Sequence, residues 1–599
     1  MTAVDTMPKI SFKNGALAAL CLVLLAGTAG CSKTKAGNNA AQQLHQLLAE
    51  EWQYELKSNP ESATYLGDKR YNSQLTDYSP AGRRKDAETN RDFLQKFQAI
   101  DARGLTADEA LNRTLMIRRL RDAIDSYDLK AWEMPVDQMN GVHLGWVQLP
   151  GYTAFASSHD YDDYASRLHK LPVAFSQIEE DLRLGMRDRL VPPGYLLEKV
   201  AVQAEQIANT AADKNPFAAP LAHFPSGISD SDQQRIRASV LEAIKTDVLP
   251  AYRTFGEFVR KDYAPRGRTD PGVWSLPDGD ALYRRDVRLM TTTKLSPRQF
   301  HEIGLKQVSE IESQMLTLAR GQGYHDLKAF NAYIKNNKRF YAASDEQIVG
   351  LYRKHLGEMH AEMPKLFGHM PRAQLEVRAM EAFRAKDGAP ADYTPGSQDG
   401  KRAARINVNT WDPTHRLILN IEATAYHEGI PGHHQQIALA QEMTDLPEFR
   451  RNGGYNAFVE GWALYAERLG KEVGFYQDPY SEYGRLQNEV WRAVRLVVDT
   501  GVHYKHWTRQ QMIDYFHAHT ALDEPSIQSE VDRYIAWPGQ ALAYKAGQLN
   551  ILELREKARR ELGKRFDLRA FHDAVLAKGA LPLDVLDDQI AAWIAQRRQ

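Results

Sequence analysis

The chain has 599 residues, of which 43% are apolar and 26% charged, an ordinary composition for a folded chain with a sizeable buried core. Lys and Arg number 76 against 77 Asp and Glu, for a formal charge of -1 with no long run of one sign, which argues against nucleic-acid binding by bulk electrostatics. The two cysteines, Cys21 and Cys31, both fall in the first 31 residues, so the body of the protein has neither a disulfide framework nor a thiolate metal site.

The N-terminus accounts for those cysteines. Lys9 and Lys13 lead into an apolar run over residues 16–25, then small residues, then Cys31, the pattern of a bacterial secretory signal over residues 1–30. Thr28-Ala29-Gly30-Cys31 resembles a lipobox, in which the cysteine becomes the first residue and carries lipid. Thr28 stands where an aliphatic residue is usual, and cleavage after Ala29 or Gly30 is the alternative. Ser32 resembles the residue that sorts lipoproteins to the outer membrane. No later window has the ~18 uncharged apolar residues of a spanning helix. The expectation is an envelope protein on the periplasmic side, held to the outer membrane only through a lipid on Cys31, with residues 31–41 as a flexible tether.

From Gln42 onward helical signals dominate. Leu44, Leu47, Leu48 and Trp52 recur at helical spacing, and Ser79-Pro80 and Ser296-Pro297 each read as an N-cap followed by a first-turn proline. Thr106 with Glu109, and Ser344 with Gln347, fit capping boxes. Strand-like alternation is scarce, with its best instances at residues 375–380 and 406–410. Proline and glycine cluster at residues 264–280, a soft boundary, and at 386–402, which reads as an exposed loop. The expected fold is mainly α with a small sheet, divided into helical parts at 42–272 and 273–599 or continuous over 42–599.

The richest chemistry lies in His427-Glu428-Gly429-Ile430-Pro431-Gly432-His433-His434. A zincin sets two histidines four apart on one helix so that both reach one ion, with the intervening Glu beside the attacking water. Here the fourth position after His427 is Pro431, which cannot ligate. On a straight helix His433 would sit roughly 120° off the face of His427, and His434 about 10.5 Å along the axis. Pro431 offers no N–H to the His427 carbonyl, and Gly429 and Gly432 flank it, so a kink or bulge is expected to bring His433 to the metal, with His434 as the alternate.

A third ligand is expected from the next helical stripe, Phe458, Trp462, Tyr465 and Leu469. Glu460 lies 33 residues after His427 in an apolar stretch and is the chosen ligand; Glu467 is as readily a solvated carboxylate. Two histidines and one glutamate leave a fourth position open, as catalytic zinc requires, with one Zn2+ per chain and Glu428 as the base.

With these residues in hand, the chain resembles the bacterial family known as domain of unknown function 885. The pattern HExxPGHH is met by His427, Glu428, Pro431, Gly432, His433 and His434. The likeness continues through residues 458–465, 495–503 and 537–545. The family in turn resembles gluzincin metallopeptidases, helical carboxypeptidases in particular. That resemblance implies a two-lobed helical zincin-like fold around a deep groove, with the small sheet beside the active-site helix. It also places His503 where related peptidases present a donor to the reacting carbonyl.

Tyr534 and Tyr544 are the further candidates for stabilising an oxyanion, and Arg533 and Lys545 for holding a terminal carboxylate. The segment 406–410 is expected to pair with a peptide backbone, making Asn407 and Asn409 candidate substrate contacts. The leading expectation is zinc-dependent hydrolysis of short peptides in the envelope, carboxypeptidase- or oligopeptidase-like. A metal-dependent amidase or esterase, and a non-catalytic metal-binding lipoprotein, are the alternatives; an intact Glu428 beside His427 disfavours the last.

Overall fold

A computed structural model describes residues 32–381, 385, 388–398 and 400–598. Residues 1–31, with the signal segment and Cys31, lie outside them. The chain is predominantly helical. In chain order the elements needed here are α1 (Ser32–Ser58), α2 (Pro80–Ala99), α3 (Ala107–Asp128), α4 (Gly279–Thr291), α5 (Pro297–Gly321), α6 (Asp345–Leu366), β1 (Leu375–Ala379), β2 (Ala391–Thr394), β3 (Ala404–Val408), α7 (Ile421–Glu428), α8 (His433–Glu442), α9 (Asn456–Glu472), α10 (Pro479–Tyr504), α11 (Glu524–Ala536) and α12 (Leu542–Leu562). Among the described residues no helix is long and apolar enough to cross a membrane.

Local signals set the helix starts. The Ser79 hydroxyl accepts from the Gly82 N–H, and reciprocal capping boxes form at Thr106 with Glu109 and at Ser296 with Gln299. At Ser344 only half the expected box forms: its hydroxyl accepts from the Gln347 N–H, while the Gln347 side chain accepts from the Ala343 N–H instead. Helix α1 takes in residues 32–41, read from composition as a tether; Ala40, Leu44, Leu47 and Leu48 along it are buried.

The sheet has order β1-β3-β2, with β1 parallel and β2 antiparallel to β3. Strand β2 lies in the proline- and glycine-rich stretch expected to be a loop. Its four residues carry too short an alternation to register, and pairing of Ala391 with Val408 and of Tyr393 with Ile406 is what makes them a strand. Because β3 is central, both its edges are taken. It cannot accept a peptide as an added strand, contrary to the expectation for residues 406–410.

One apolar core joins α1, α2 and α3 (Leu44, Phe97, Leu115) to β3 (Ile406, Val408), α7 (Tyr426), α9 (Trp462, Tyr465) and the C-terminal Phe571 and Ile590. A second, with Trp146, Phe175, Tyr252 and Phe255, ends at Ala264, just where the breaker-rich segment begins. The first helices pack with the C-terminal part, and Leu190 and Leu196, from the middle of the chain, also join clusters with C-terminal residues such as Leu496 and Val494.

Two features of packing position the site. Helices α9 and α12 cross with backbones in contact: a Cβ on Gly461 would lie 2.3 Å from the Gly547 Cα, and one on Gly547 only 1.8 Å from the Ala457 carbonyl oxygen. Glycine at both points lets Glu460 and Tyr544, one and three residues away, face a common space. Helix α10 is buried along most of its length, so its polar residues at three- and four-residue spacing need partners inside the protein. Arg485 pairs with Glu482 and Glu489, Asn488 donates to the Thr424 hydroxyl, and Asp499 accepts from the Tyr283 O–H and the Gly539 N–H.

Candidate metal centre

Helix α7 stops at Glu428 and α8 starts at His433, joined by Gly429-Ile430-Pro431-Gly432 with a cis Ile430–Pro431 peptide. The expected kink is thus a complete break into two helices. Gly432 folds back on the end of α7 so closely that a Cβ there would lie 2.0 Å from the His427 carbonyl oxygen. The fold-back sets His433 beside His427, with ring centroids 4.8 Å apart and planes at 89°. The Trp462 indole N–H donates to the Pro431 carbonyl at 2.9 Å and ties the link to α9.

Glu460 completes the group. Its Oε2 lies 3.5 Å from His427 Nε2 and 3.6 Å from His433 Nε2. Ligand atoms of all three residues fall within 4.8 Å of one another, and among the described residues no other trio of His, Asp or Glu meets that condition. Tetrahedral ligands at ~2.0–2.1 Å from an ion stand roughly 3.3–3.4 Å apart, so the donor set fits a divalent cation. Glu460 Oε2 is buried without a hydrogen-bond partner, which such an ion would satisfy. Against the opposing effect of burial, the two histidines hold the Glu460 carboxyl well below the usual range.

His434 is turned elsewhere. Its Nδ1 meets the Tyr393 hydroxyl at 3.1 Å and its Nε2 the Ala373 carbonyl at 3.2 Å, and burial lowers its pKa to about 4. His433 is therefore the second histidine of the cluster. Beside it, burial pushes Glu428 up to about 8, helped by the negative charges of Glu460 and Asp392 and opposed by His433 and Arg492.

The support around His427 includes residues the sequence reading left aside. Glu467, treated as readily solvated, is 1% exposed and its Oε1 lies 2.8 Å from His427 Nδ1. Arg492 reaches the same oxygen at 3.5 Å. A carboxylate in this place fixes the tautomer that leaves Nε2 free for a metal. The signal was available: Glu467 follows Glu460 by seven residues, two helical turns on the same face.

Other expected site residues fare differently. Tyr544 is at the site: its ring stacks 6.5 Å from that of His427, and its hydroxyl accepts from Arg533 Nη2 at 3.0 Å, leaving its own proton to donate. Tyr534 is fully buried; its oxygen accepts from Arg495 Nε at 2.8 Å and the Trp491 indole at 3.1 Å, and its proton goes to Glu530. No donor remains for an oxyanion. His503 is likewise consumed, accepting at Nδ1 from the Val273 N–H and meeting the Tyr534 carbonyl at Nε2, 2.9 Å. Burial drops its pKa to about 3, and it acts as a neutral strut between backbone groups.

Lys545 is 1% exposed and bonded to Glu489 at 3.0 Å and Gln548 at 2.7 Å, so it pairs inside the protein and does not present its charge to a substrate. Asn407 bonds Asp392, Thr394 and Arg378, and Asn409 bonds the carbonyls of Ala385, Gly388 and Ala389. Both are 2% exposed and brace the sheet and its loop, not a ligand.

Fold and cluster together define a predominantly helical protein with a two-histidine, one-carboxylate donor set and an adjacent buried glutamate. The chain belongs to the family of bacterial proteins of unknown function (DUF885), whose model matches residues 60–590. Among solved structures it is similar to a candidate lipoprotein from Colwellia psychrerythraea, at 29% identity and a TM-score of 0.89, covering 93% of this chain and 99% of that one. It is also similar in fold to a candidate lipoprotein of unknown function from Shewanella oneidensis, at 19% identity and a TM-score of 0.70, covering 92% of this chain and 99% of that one. No curated protein matches.

Proposed function

We propose that this protein is a zinc-dependent hydrolase of peptide bonds, acting on short peptides in the bacterial cell envelope within a gluzincin-like helical scaffold. The observation that carries the reading is the convergence of His427, His433 and Glu460 next to Glu428. A purely structural site needs four closed ligands and no base, whereas the candidate cluster has three donors with the Glu428 carboxylate beside them as a base. Bound by these residues, a zinc ion would polarise the scissile carbonyl and make the attacking water more acidic.

The protein's own groups divide the remaining work. Glu428, as the carboxylate that a cation in the neighbouring cluster would favour, accepts the proton of the attacking water and returns it to the departing amine. Glu467 holds His427 in the tautomer and orientation that the cluster requires. Tyr544, with Arg533 bonded to its oxygen, donates its hydroxyl proton to the oxygen that gains charge as the carbonyl is attacked. Placement in the envelope, with a lipid on Cys31, rests on the N-terminal sequence and on the likeness to two candidate lipoproteins.

The test is elemental analysis of the purified protein together with mass-spectrometric profiling of a mixed peptide library. About one zinc per chain and peptide products abolished by a chelator are expected. A metal-replete protein that leaves every peptide intact while cleaving simple amides or esters would replace this reading.

A further inference from the structure

The two histidines of the cluster are held differently. His427 has Glu467 at its Nδ1, 2.8 Å away, whereas His433 Nδ1 is buried with no hydrogen-bond partner among the described residues. A ligating imidazole ordinarily has its second nitrogen fixed by a carboxylate, a carbonyl or water, and that bond sets the orientation of the ring. The protein gives His433 a ring contact instead. Tyr393 stacks on it with centroids 6.4 Å apart and planes at 28°, and His427 packs against it at 4.8 Å and 89°.

Tyr393 is itself fixed at both ends. Its backbone pairs with Ile406 of β3, and its neighbours Asp392 and Thr394 both meet the Asn407 amide, at 2.7 and 3.1 Å, so alternation along β2 turns Tyr393 to the opposite face. Its hydroxyl is held by His434. The Ala373 carbonyl, 3.2 Å from His434 Nε2, can only accept, so Nε2 carries the proton and Nδ1 takes the Tyr393 O–H at 3.1 Å. Adjacent side chains on a helix diverge by about 100°, and one phenol bridges that angle here: its face lies on His433 and its hydroxyl on His434.

We propose that Tyr393 is the positioning residue of His433, keeping its Nε2 turned to Glu460 by ring contact where His427 relies on Glu467, and that His434 is the latch that holds Tyr393 in place. This rests on the metal centre of the proposed function but not on peptide cleavage. It gives His434 a task in which it need not ligate: it is buried, and both of its nitrogens are engaged in holding the phenol. The small sheet thereby becomes part of the metal centre, since a slip of β2 by one residue along β3 would carry the Tyr393 ring off His433.

The experiment measures the zinc affinity of the purified full chain by competition with a chromophoric chelator, beside thermal melts of the metal-free protein. Tyr393→Leu, which removes ring and hydroxyl together, should weaken zinc binding about 10- to 100-fold, the usual loss for an outer partner of a metal ligand. Tyr393→Phe restores the ring face and should lose only about threefold, within the net weight of one hydrogen bond. His434→Ala should lose about as much without emptying the site, and the double variant no more than either single one, because both changes cut the same link. Lower melting temperatures with zinc affinity unchanged would make both residues merely structural and overturn the proposal. Equal losses for Tyr393→Leu and Tyr393→Phe would show that the ring face does not act, and additive losses for Tyr393→Phe and His434→Ala that there is no latch; either result overturns it. The Tyr393→Phe and His434→Ala cycle decides the matter even where Tyr393→Leu does not fold. A wild type that binds zinc and cleaves no peptide sinks the peptidase reading alone, whereas one that binds no zinc sinks the metal centre and this role together.

Discussion

Glu467 Oε1 lies 2.8 Å from Nδ1 of His427, on a helix face it shares with Glu460 of the candidate cluster. One helix thus supplies both a carboxylate of the candidate metal cluster and the carboxylate that orients one of its histidines. Replacing Glu467 by Gln should keep the fold and lower zinc affinity by roughly 10- to 100-fold, the usual weight of such an outer partner. Competition with a chromophoric chelator reads it; unchanged affinity would make Glu467 only a partner of Arg492.

His433 and His434 are adjacent in sequence but opposite in role. His433→Ala should drop zinc well below one per chain, while His434→Ala should retain it and lose a few degrees of melting temperature through the severed link to Tyr393. Elemental analysis of both variants settles the assignment, and the reverse pattern would reject it.

Glu428→Gln should bind zinc like the wild type and hydrolyse peptides at least ~10²-fold more slowly, because the amide cannot take a proton. Loss of zinc in this variant would recast Glu428 as a ligand. Unchanged turnover would place the base elsewhere.

His503 makes a pH-dependent contribution to stability with a defined sign. Its folded pKa is about 3 against an unfolded value near 6.5, so between these the unfolded chain binds the extra proton and stability is lost as pH falls. The stabilising contribution is complete above pH 6.5. The advantage of wild type over His503→Gln should therefore shrink on going from pH 7.5 to pH 5, by at most about 1.4 kcal/mol per pH unit below 6.5. Denaturant titrations of both proteins at each pH measure it; a difference constant with pH would show that His503 is not buried as the neutral form.

Much of this protein is legible along the chain because the governing interactions are local. Ser79, Thr106 and Ser296 start helices through hydrogen bonds to residues three positions on, and His427, Glu428 and Glu460 declare themselves by spacing and by an apolar setting. Pro431 likewise announces a break, since it has no N–H to continue a helix. The choice of His433 over His434 was open in sequence, because it depends on how far the chain folds back at Gly432 and on Tyr393 and the Ala373 carbonyl, which arrive from β2 and from the turn before β1. Strand β2 escaped notice for the same reason: four residues become a strand only through pairing with β3.

The polar residues of α10, α11 and α12 show the limit most plainly. The sequence reading put His503, through the family resemblance, and Tyr534 and Lys545 among candidates for catalysis or binding, and nothing local distinguishes them from Arg533 and Tyr544. Tertiary packing does, by filling every donor of Tyr534 and His503, pairing Lys545 with Glu489, and leaving Tyr544 its proton. The sequence by itself determined the helical class, the helix starts and which residues had the chemistry to hold a metal. Only the tertiary structure decided which polar groups are spent on one another, because burial forces each to find a partner and the partners come from helices distant in the chain.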